Sequence, residues 1–459
     1  MASSRPAPGR VGSIPQKATS KMGSSIMQQT HFVFTIFLAL YLAQALFSWW
    51  LDRLNLRHME RFGEGAPPCF EGMLDASKLS KITAYTRAKT RLGILSDLTA
   101  QGILLLLILS GFMTALGNRL FSHEVHRILA GLLFFTLPGF LLFLAELPFD
   151  YYHTFVIEEA FGFNRTTLRT WVVDHLKSRL VSLCLFTVIL SATLTVVQSS
   201  PTRWWLWAFA IVSGIQIVLV LLYPVVLAPL FNKFVSLQDM ELSEKIGALM
   251  QQNGIQVRKI LQMDAGRRSR HTNAYFTGLG KTKQIVLYDT LLEAHSRDEI
   301  LSVLAHEVGH YKEKHVPKQL LFFELSLLAG FYLTYRIMEW PAVYAAFGYE
   351  SSQTYVGLFL VGIAWQKAGF FLQPFYTGLS RHFERQADLF AARFLKTPDH
   401  LVAALKRMAL DNLSNLAPHP LYVRFHYSHP PLVERITFLD TAGRSSGAEK
   451  TGSTLERRH

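Results

Sequence analysis

The sequence predicts a predominantly α-helical, multi-pass membrane protein that carries a small α/β element outside the bilayer. Of its 459 residues, 50% are hydrophobic and only 17% are charged, whereas charged residues make up about a quarter of a typical soluble domain. The apolar residues are gathered into seven blocks, each close to the roughly 20 residues that a bilayer-crossing helix needs. A long polar segment, 225–317, shows strand-like as well as helical patterns.

The seven apolar blocks are the predicted membrane spans. The first block starts too late and is too long for a cleaved signal peptide, so we interpret it as a span. Residues 1–30, rich in Ser, Pro, Gly and basic residues, are predicted to form a mobile tail. The predicted spans lie at 31–50, 94–116, 128–147, 180–198, 204–224, 318–340 and 355–376.

This division gives five segments. Spans one to five form a bundle at 31–224, and spans six and seven occupy 318–376. Two extramembrane segments, the loop 225–317 and the tail 377–459, are large enough to carry chemistry.

The basic residues predict the orientation of the chain. A formal net charge of +13 is compatible with a nucleic-acid partner, but in a membrane protein Lys and Arg collect on the cytoplasmic side, so we expect a bilayer and no nucleic acid. The loops 51–93, 148–179 and 225–317, with the tail from 377, hold 36 of the 46 basic residues. The C-terminus is therefore predicted in the cytoplasm and the N-terminus outside. Two cysteines, Cys69 and Cys184, exclude a disulfide framework and a four-cysteine zinc site.

The loop 225–317 is predicted to hold a small sheet followed by a helix. Its predicted elements are a helix at 238–252, strands at 256–263 and 283–289 around NAYFTGLGK, and a helix at 297–316. Ser296 is the expected N-cap of the last helix, and Pro317 is expected to mark a bend into the sixth span. Gly278 and Gly280 suggest that NAYF is a strand entering a tight turn.

The motif HEVGH at 306–310 is the strongest local signal for chemistry. Residues four apart in a helix project from one face, so His306 and His310 are suited to bind one metal ion. Glu307, next to the first ligand, is placed to accept a proton from the attacking water and to pass it to a departing amine. These residues predict metal-assisted peptide hydrolysis.

A catalytic zinc takes three protein ligands, so a third is needed. The helical stretch SRHFERQADLFAARF at 380–394 offers Glu384 as that ligand and Asp388, one turn later, as the hydrogen-bond partner of a ligand histidine. The alternative is an exposed acidic face paired with Arg381 and Arg385. His315 is a further possible ligand, although an interfacial histidine is more common at such a position. We expect one Zn²⁺ per chain.

Several motifs spread over nearly the whole chain make a resemblance specific. They are AYTRAK at 84–89, FVIEEAFGFN at 155–164, APLFNKF at 228–234, NAYFTG at 273–278, AHEVGHYKEKH at 305–315, ERQAD at 384–388 and YSHPPLVERI at 427–436. With these the chain resembles the type 1 CaaX prenyl proteases, integral-membrane zinc enzymes. The resemblance implies that His306, His310 and Glu384 are zinc ligands, that Glu307 is catalytic and that seven helices surround a water-filled chamber.

Charged residues within the spans give independent support for a polar chamber. Glu324, Arg336 and Lys367 lie in spans six and seven, where exposure to lipid is costly. The alternative, snorkelling from a helix end, suits Arg336 but not Lys367, near the middle of its block. We therefore expect Lys367 to face the interior.

The resemblance also implies roles for residues outside the zinc motifs. His429 and Arg435 are expected near the zinc, where they would stabilise the oxyanion or contact substrate; a structural ion pair is the alternative for Arg435. The NAYF strand is expected to bind an extended substrate along its edge, with Asn273 and Ala274 beside the scissile bond. An Asn273 that satisfies its own chain is the alternative.

The expected function is zinc-dependent peptide hydrolysis at the cytoplasmic side of a membrane. By resemblance, the substrates are prenylated proteins ending in Cys-aliphatic-aliphatic-X, which lose their last three residues. One alternative is a metalloprotease of membrane-protein quality control, and a more distant one is a non-enzymatic transporter or lipid-binding protein. The membrane is expected to be the endoplasmic reticulum in a eukaryote or the inner membrane in a bacterium, and no oligomeric state is predicted.

Overall fold

The computed structural model describes residues 16–62, 65–123, 125–277 and 283–442. Within these residues, seven helices are long and apolar enough to cross a membrane. The predicted fold class, an α-helical membrane protein with a small sheet, is thereby confirmed.

The first half of the chain is helical almost throughout. Its helices are α1 Gln16–Phe62, α2 Ala76–Leu109, α3 Phe112–Ser122, α4 Arg127–Tyr152, α5 Glu159–Phe161, α6 Leu168–Ser199, α7 Trp204–Leu222 and α8 Ala228–Phe231. Two π-helical turns, His153–Glu158 and Tyr223–Leu227, join α4 to α5 and α7 to α8.

The second half alternates strands with helices before returning to the bundle. Its elements are β1 Phe234–Ser236, α9 Met240–Gln252, β2 Lys259–Met263, β3 Ala274–Thr277, β4 Gln284–Tyr288, α10 Asp289–Ala294, α11 Arg297–Lys312, α12 His315–Met338, α13 Ala342–Ala345, α14 Thr354–Leu395, α15 Asp399–Asp411 and α16 Pro420–His426. Residues 432–442 are also helical.

Two predicted boundaries of the first spans differ from the structure. Helix α1 begins at Gln16, inside the stretch 1–30 predicted as a tail, because the polar residues before the apolar block include good helix formers that extend an existing helix. Residues 1–15 lie outside the described part. The second span was predicted to reach 116, but α2 ends at Leu109 and Gly111 turns the chain at a φ of 78°. Such a φ suits glycine and ends a helix, even within an apolar block.

The seven long helices form a closed ring. Each helix contacts the next in the order α1, α2, α4, α6, α7, α12 and α14, and α14 packs back against α1. In six of these helices only 0–22% of the most apolar 18-residue window is buried inside the protein, against 44% in α14. Much of the apolar surface of the first six of these helices is therefore left uncovered by protein, and α14, which also contacts α4 and α6, is the most enclosed of the seven.

Two separate hydrophobic cores hold this ring together. One joins the sheet, α9, α11 and α15 to the adjacent ends of the bundle helices, and includes Ile285, Leu304 and Ile436. The other packs α1, α3, α4, α6 and α14 around Phe134 and Val356. Burial of about 25 cal/mol per Å² of apolar surface stabilises each cluster, and the first one fixes the sheet relative to α11.

The charged residues of the spans take different positions. Lys367 is 5% exposed; it donates to Gln101 Oε1 at 3.2 Å and lies 4.4 Å from the centre of the Tyr41 ring. Glu324 accepts a hydrogen bond from Ser213 at 2.5 Å. Arg336 is exposed and pairs with Glu339 at 3.5 Å. Lys367 thus faces the interior as expected, whereas Arg336 lies near a helix end.

The sheet has the order β1-β2-β4-β3. Strands β2 and β4 are parallel, and the two outer pairs are antiparallel. The sequence did not predict β1, because three residues are too few to show an alternating pattern. The predicted turn at Gly278 and Gly280 lies outside the described residues. In the described part of the chain, β3 is an edge strand.

The helix with the HEVGH motif is capped as its sequence suggests. Ser296 Oγ accepts from the Glu299 N–H, and the Glu299 carboxylate accepts from the Ser296 N–H, which forms a capping box. The predicted bend at Pro317 is wrong: α11 ends at Lys312, Lys314 adopts a φ of 54°, and Pro317 lies in the first turn of α12. Proline is tolerated there because an N–H in that turn has no partner within the helix.

Candidate metal centre

Three side chains from two helices converge beside the sheet. His306 and His310 lie on α11, and Glu384 lies on α14. The Nε2 atoms of the two histidines are 3.2 Å apart; His310 Nε2 is 3.2 Å from Glu384 Oε1, and His306 Nε2 is 3.3 Å from Glu384 Oε2. One donor atom from each residue therefore lies within 4.8 Å of the other two, which is close enough for a shared metal ion.

Helix α14 carries Glu384 to this position without a break. It runs for 42 residues, from the predicted seventh span through the predicted tail boundary at 376. At a rise of 1.5 Å per residue, Glu384 lies about 12 Å beyond that boundary. The carboxylate is therefore held by a rigid extension of a membrane helix and not by a loop.

The donor set fits a metal ion. Glu384 is 4% exposed, and its Oε2 is buried without a hydrogen bond from any described residue, since His306 lies close to it but in poor hydrogen-bond geometry. A buried carboxylate oxygen without a donor is costly. Two imidazole nitrogens and a carboxylate are the ligands of many catalytic metal sites.

Asp388 orients the first histidine. Its Oδ1 is 2.8 Å from His306 Nδ1, on the side of the ring away from Glu384, and the Asp388 side chain is fully buried. Burial lowers the pKa of His306, but the neighbouring carboxylates of Asp388 and Glu384 outweigh it and raise this pKa from 6.5 to about 9. A metal ion must therefore displace a proton from His306 at neutral pH.

Arg435 forms an ion pair with the Asp388 carboxylate. It is 8% exposed and donates to both oxygens of Asp388, from Nε at 2.9 Å and from Nη2 at 2.6 Å, while Nη1 is 3.9 Å from Glu384. This bidentate pair is the structural ion pair that the sequence left as the alternative to a substrate contact. The charges of Asp388 and Arg435 compensate each other in a buried setting.

The acidic residues of α14 are not an exposed face paired with the arginines of the same helix. Arg385 pairs with Glu434 at the surface, and Arg381 donates to the carbonyl oxygens of Val423 and Tyr427. Glu384 and Asp388 point the other way, towards α11. The exposed-face alternative is therefore excluded.

Two further predicted residues are neighbours of the cluster, Glu307 in sequence and His429 in space. Glu307, the neighbour of His306 on α11, is half-buried, and its carboxylate makes no hydrogen bond or ion pair within the described residues. His429 Nε2 lies 3.2 Å from Glu384 Oε1, and the His429 side chain is 60% exposed. The Glu307 carboxylate is thus not held by another described side chain, whereas His429 contacts Glu384 and keeps more than half of its side chain exposed.

The predicted substrate strand packs against the same helix. Strand β3 contacts α11. The Asn273 carbonyl accepts from the Tyr288 N–H of β4 at 3.1 Å. In an antiparallel pair, the backbone N–H and C=O groups of successive residues point alternately towards and away from the partner strand. The backbone groups of Ala274 therefore point away from β4, towards the free edge of β3. The Asn273 side chain accepts from the Ala274 N–H at 2.8 Å. In the free protein Asn273 thus satisfies its own chain, as the alternative describes.

Sequence reasoning gave no role to two residues near the cluster, Gln386 and Gly309, and it favoured an interfacial position for a third, His315. His315 is 1% exposed and contacts His310 Nδ1, whereas Glu384 lies at His310 Nε2, so His315 is enclosed by protein on the far side of that ring. Gln386 contacts His315, and Gly309 faces α14. A glycine inside a helix was the one available signal, because it weakens the helix unless close packing requires it. His315 and Gln386 carried no spacing signal.

Family models match most of the described chain. Residues 55–233 match the N-terminal part of CAAX prenyl proteases, described as five membrane helices, and residues 236–442 match peptidase family M48. The boundary between the two models falls within β1, because the second model begins at Ser236.

Individual proteins are similar over most of their length. CAAX prenyl protease 1 of Saccharomyces cerevisiae is 34% identical over 84% of this chain and 91% of its own, and the CAAX prenyl protease 1 homolog of Homo sapiens is 30% identical over 87% and 95%. The crystal structure of S. mikatae Ste24p superposes with a TM-score of 0.83 at 32% identity, over 89% of this chain and 99% of that one.

Proposed function

The chain belongs to the CAAX prenyl protease 1 family of M48 peptidases and is an integral-membrane metalloprotease, and we propose that it is a zinc endopeptidase that removes the last three residues of prenylated CaaX proteins. The convergence of His306, His310 and Glu384 carries the proposal. The names of its relatives support the substrate class.

The ligand types and their distances fit a tetrahedral zinc. Ligand atoms each about 2.0–2.2 Å from a tetrahedral zinc lie roughly 3.3–3.6 Å from one another. The Nε2 atoms of His306 and His310 are 3.2 Å apart, and each lies 3.2–3.3 Å from one of the two carboxylate oxygens of Glu384. We therefore assign these three residues as the ligands of one zinc, with a fourth position left for the reaction.

Glu307 is proposed as the general base and acid. When bound, zinc supplies a Lewis acid that polarises the scissile carbonyl and makes a water acidic enough to react near neutral pH. Glu307 accepts the proton of that water as it attacks the peptide carbonyl, and then passes the proton to the departing amine. Its freedom from other hydrogen bonds among the described residues leaves the carboxylate available for this transfer.

His429 and Arg435 are given different roles. His429 is exposed on the open side of Glu384, so we assign its Nε2–H to stabilise the negative charge that develops on the carbonyl oxygen. Arg435 is engaged with Asp388 and buried, so we assign it to position Asp388, and through it His306. A direct contact of Arg435 with substrate is not needed in this scheme.

The substrate is proposed to bind as an added strand. An extended peptide beside β3 would take the place of the Asn273 side chain on the Ala274 N–H and form backbone hydrogen bonds along the edge. The displaced Asn273 amide is then free to bond the substrate backbone. Binding through backbone groups would depend little on the side chains of the cleaved tail.

We place the centre at the cytoplasmic face of the endoplasmic reticulum. The loop 225–317 and the tail 377–459 belong to the side that holds 36 of 46 basic residues, and the relatives named above are eukaryotic. Cysteines introduced at Glu244 and Thr437 should be labelled from the cytoplasm, and one at Glu350 from the opposite side. If the cysteines introduced at Glu244 and Glu350 were labelled from the same side of the membrane, this orientation would be refuted.

The test compares a farnesylated CaaX peptide with its unprenylated twin. Purified protein should release the terminal tripeptide from the farnesylated peptide, as detected by mass spectrometry, and Glu307→Gln protein should not. Equal cleavage of both peptides would instead favour the quality-control protease. A zinc-loaded protein that cleaves neither peptide would refute the proposed function.

A further inference from the structure

We propose that His315 and Gln386 form a hydrogen-bond relay that fixes His310 in the one tautomer able to bind the metal. The inference rests on the metal site proposed above and assigns two positioning residues to it. His315 Nδ1 lies 3.0 Å from His310 Nδ1, and His315 Nε2 lies 2.8 Å from Gln386 Oε1. The chain of contacts thus runs from an amide oxygen, through one imidazole, to the ligand ring.

The direction of each hydrogen bond follows from the amide oxygen. A neutral imidazole has one N–H and one lone pair, and an amide oxygen only accepts. His315 therefore carries its hydrogen on Nε2, which leaves only a lone pair on Nδ1. That lone pair requires a hydrogen on His310 Nδ1. The His310 Nε2 lone pair then points at His306 Nε2 and Glu384 Oε1, each 3.2 Å away.

The opposite orientation of the amide would block the metal. With its NH₂ group towards His315, Gln386 would donate to Nε2, His315 would donate to His310 Nδ1, and His310 would carry its hydrogen on Nε2. In the structure the Gln386 NH₂ group instead lies 3.2 Å from His382 Nε2. His382, one turn earlier on α14, accepts from this NH₂ group when its own hydrogen lies on Nδ1, and this pairing is consistent with the orientation that leaves the ligand nitrogen free.

The surrounding structure holds the relay in place. His315 is 1% exposed and stacks on Phe383, with ring centres 4.3 Å apart and planes at 11°. Phe383 and Gln386 flank Glu384 on the same turn of α14. His315 is the first residue of α12, directly after the left-handed Lys314, so an unusual backbone conformation places it against the ligand.

The relay completes the support of both ligand histidines. Asp388 lies at His306 Nδ1, and His315 lies at His310 Nδ1, so the far nitrogen of each ligand has a partner. The same geometry excludes His315 as a fourth ligand, because it contacts the side of the His310 ring that faces away from Glu384. A role in packing alone would predict that the polar atoms of His315 and Gln386 are dispensable.

Substitutions of Gln386 separate the relay from packing. Gln386→Glu keeps an acceptor towards His315 and should leave zinc affinity within about threefold of the wild type. Gln386→Met removes the acceptor at similar volume and should weaken zinc binding by about 10–100-fold. Zinc affinity of the purified full chain is measured by chelator competition, and thermal unfolding of the metal-free protein checks folding. Gln373→Met, the same change elsewhere on α14, is the control.

A second pair of variants tests His315. His315→Phe keeps a ring to stack on Phe383 and should lose as much affinity as Gln386→Met, and the double variant should lose no more, because both interrupt one chain. Wild-type affinity in folded Gln386→Met or His315→Phe protein, together with weakened binding in Glu384→Ala, overturns the relay and leaves the proposed function standing. Equal zinc affinity of wild type and Glu384→Ala overturns both.

Discussion

A β-carbon added to Gly309 would lie 2.9 Å from the Cα of Ala387 and 3.1 Å from its carbonyl oxygen. Helices α11 and α14 therefore approach with their backbones in contact at this point. Gly309 lies next to His310, and Ala387 lies between Glu384 and Asp388. The glycine inside the HEVGH motif thus allows the close approach of the two helices that carry the proposed ligands.

Gly309→Ala should force these helices apart. The clash is with backbone, which cannot rotate away, so we expect a loss of about 1–3 kcal/mol in the free energy of unfolding and zinc binding at least about tenfold weaker. Gly362→Ala on α14 is the control, since nothing lies within 4 Å of its added carbon; helix propensity should make it neutral or slightly stabilising. Equal behaviour of the two variants would contradict the close approach as the cause.

Glu307 and Glu384 should respond differently to substitution. Glu307→Gln should keep zinc but lower turnover by about 10²–10⁴-fold, because proton transfer is lost while the ligands remain. Glu384→Ala should lose zinc itself, because a ligand is deleted. Metal content and tripeptide release are measured on the same samples. Wild-type turnover in Glu307→Gln would remove this residue from the mechanism.

Arg435→Met should destabilise the protein by about 3 kcal/mol or more, because Asp388 would keep a buried charge without its bidentate partner. The control is Arg385→Met, which breaks the exposed pair with Glu434 and should cost less than about 1 kcal/mol. Thermal or denaturant unfolding of the metal-free proteins distinguishes them. Similar losses in both variants would show that the buried pair contributes no more than a surface pair.

Zinc binding and metal-free stability should depend on pH in opposite directions. The pKa of His306 is raised from 6.5 to about 9 in the metal-free protein, so its charged form stabilises the fold fully below pH 6.5, and this contribution, up to about 3 kcal/mol, is lost as pH rises to 9. Over the same range zinc affinity should rise, because fewer protons must be displaced. Asp388→Asn should flatten both profiles, and profiles as steep as those of the wild type would argue against this linkage.

The sequence by itself determined the features that depend on local periodicity. Apolar blocks of the right length predicted the seven spans, and four-residue spacing placed His306 with His310 and Glu384 with Asp388 on single helix faces. Ser296 and its capping box followed from adjacent residues. These features need no knowledge of which elements are neighbours in space.

The tertiary structure alone decided how separate elements meet. The closed helix ring, the contact of Gly309 with Ala387, the pair of Asp388 with Arg435 and the contact of His315 with Gln386 all join distant parts of the chain. The turns at Gly111 and Lys314, which the sequence misplaced, set directions between helices. Helix periodicity fixes where a side chain projects from its own axis, but packing and a few turn dihedrals fix the distance between axes. That distance decides whether Glu384 reaches the two histidines.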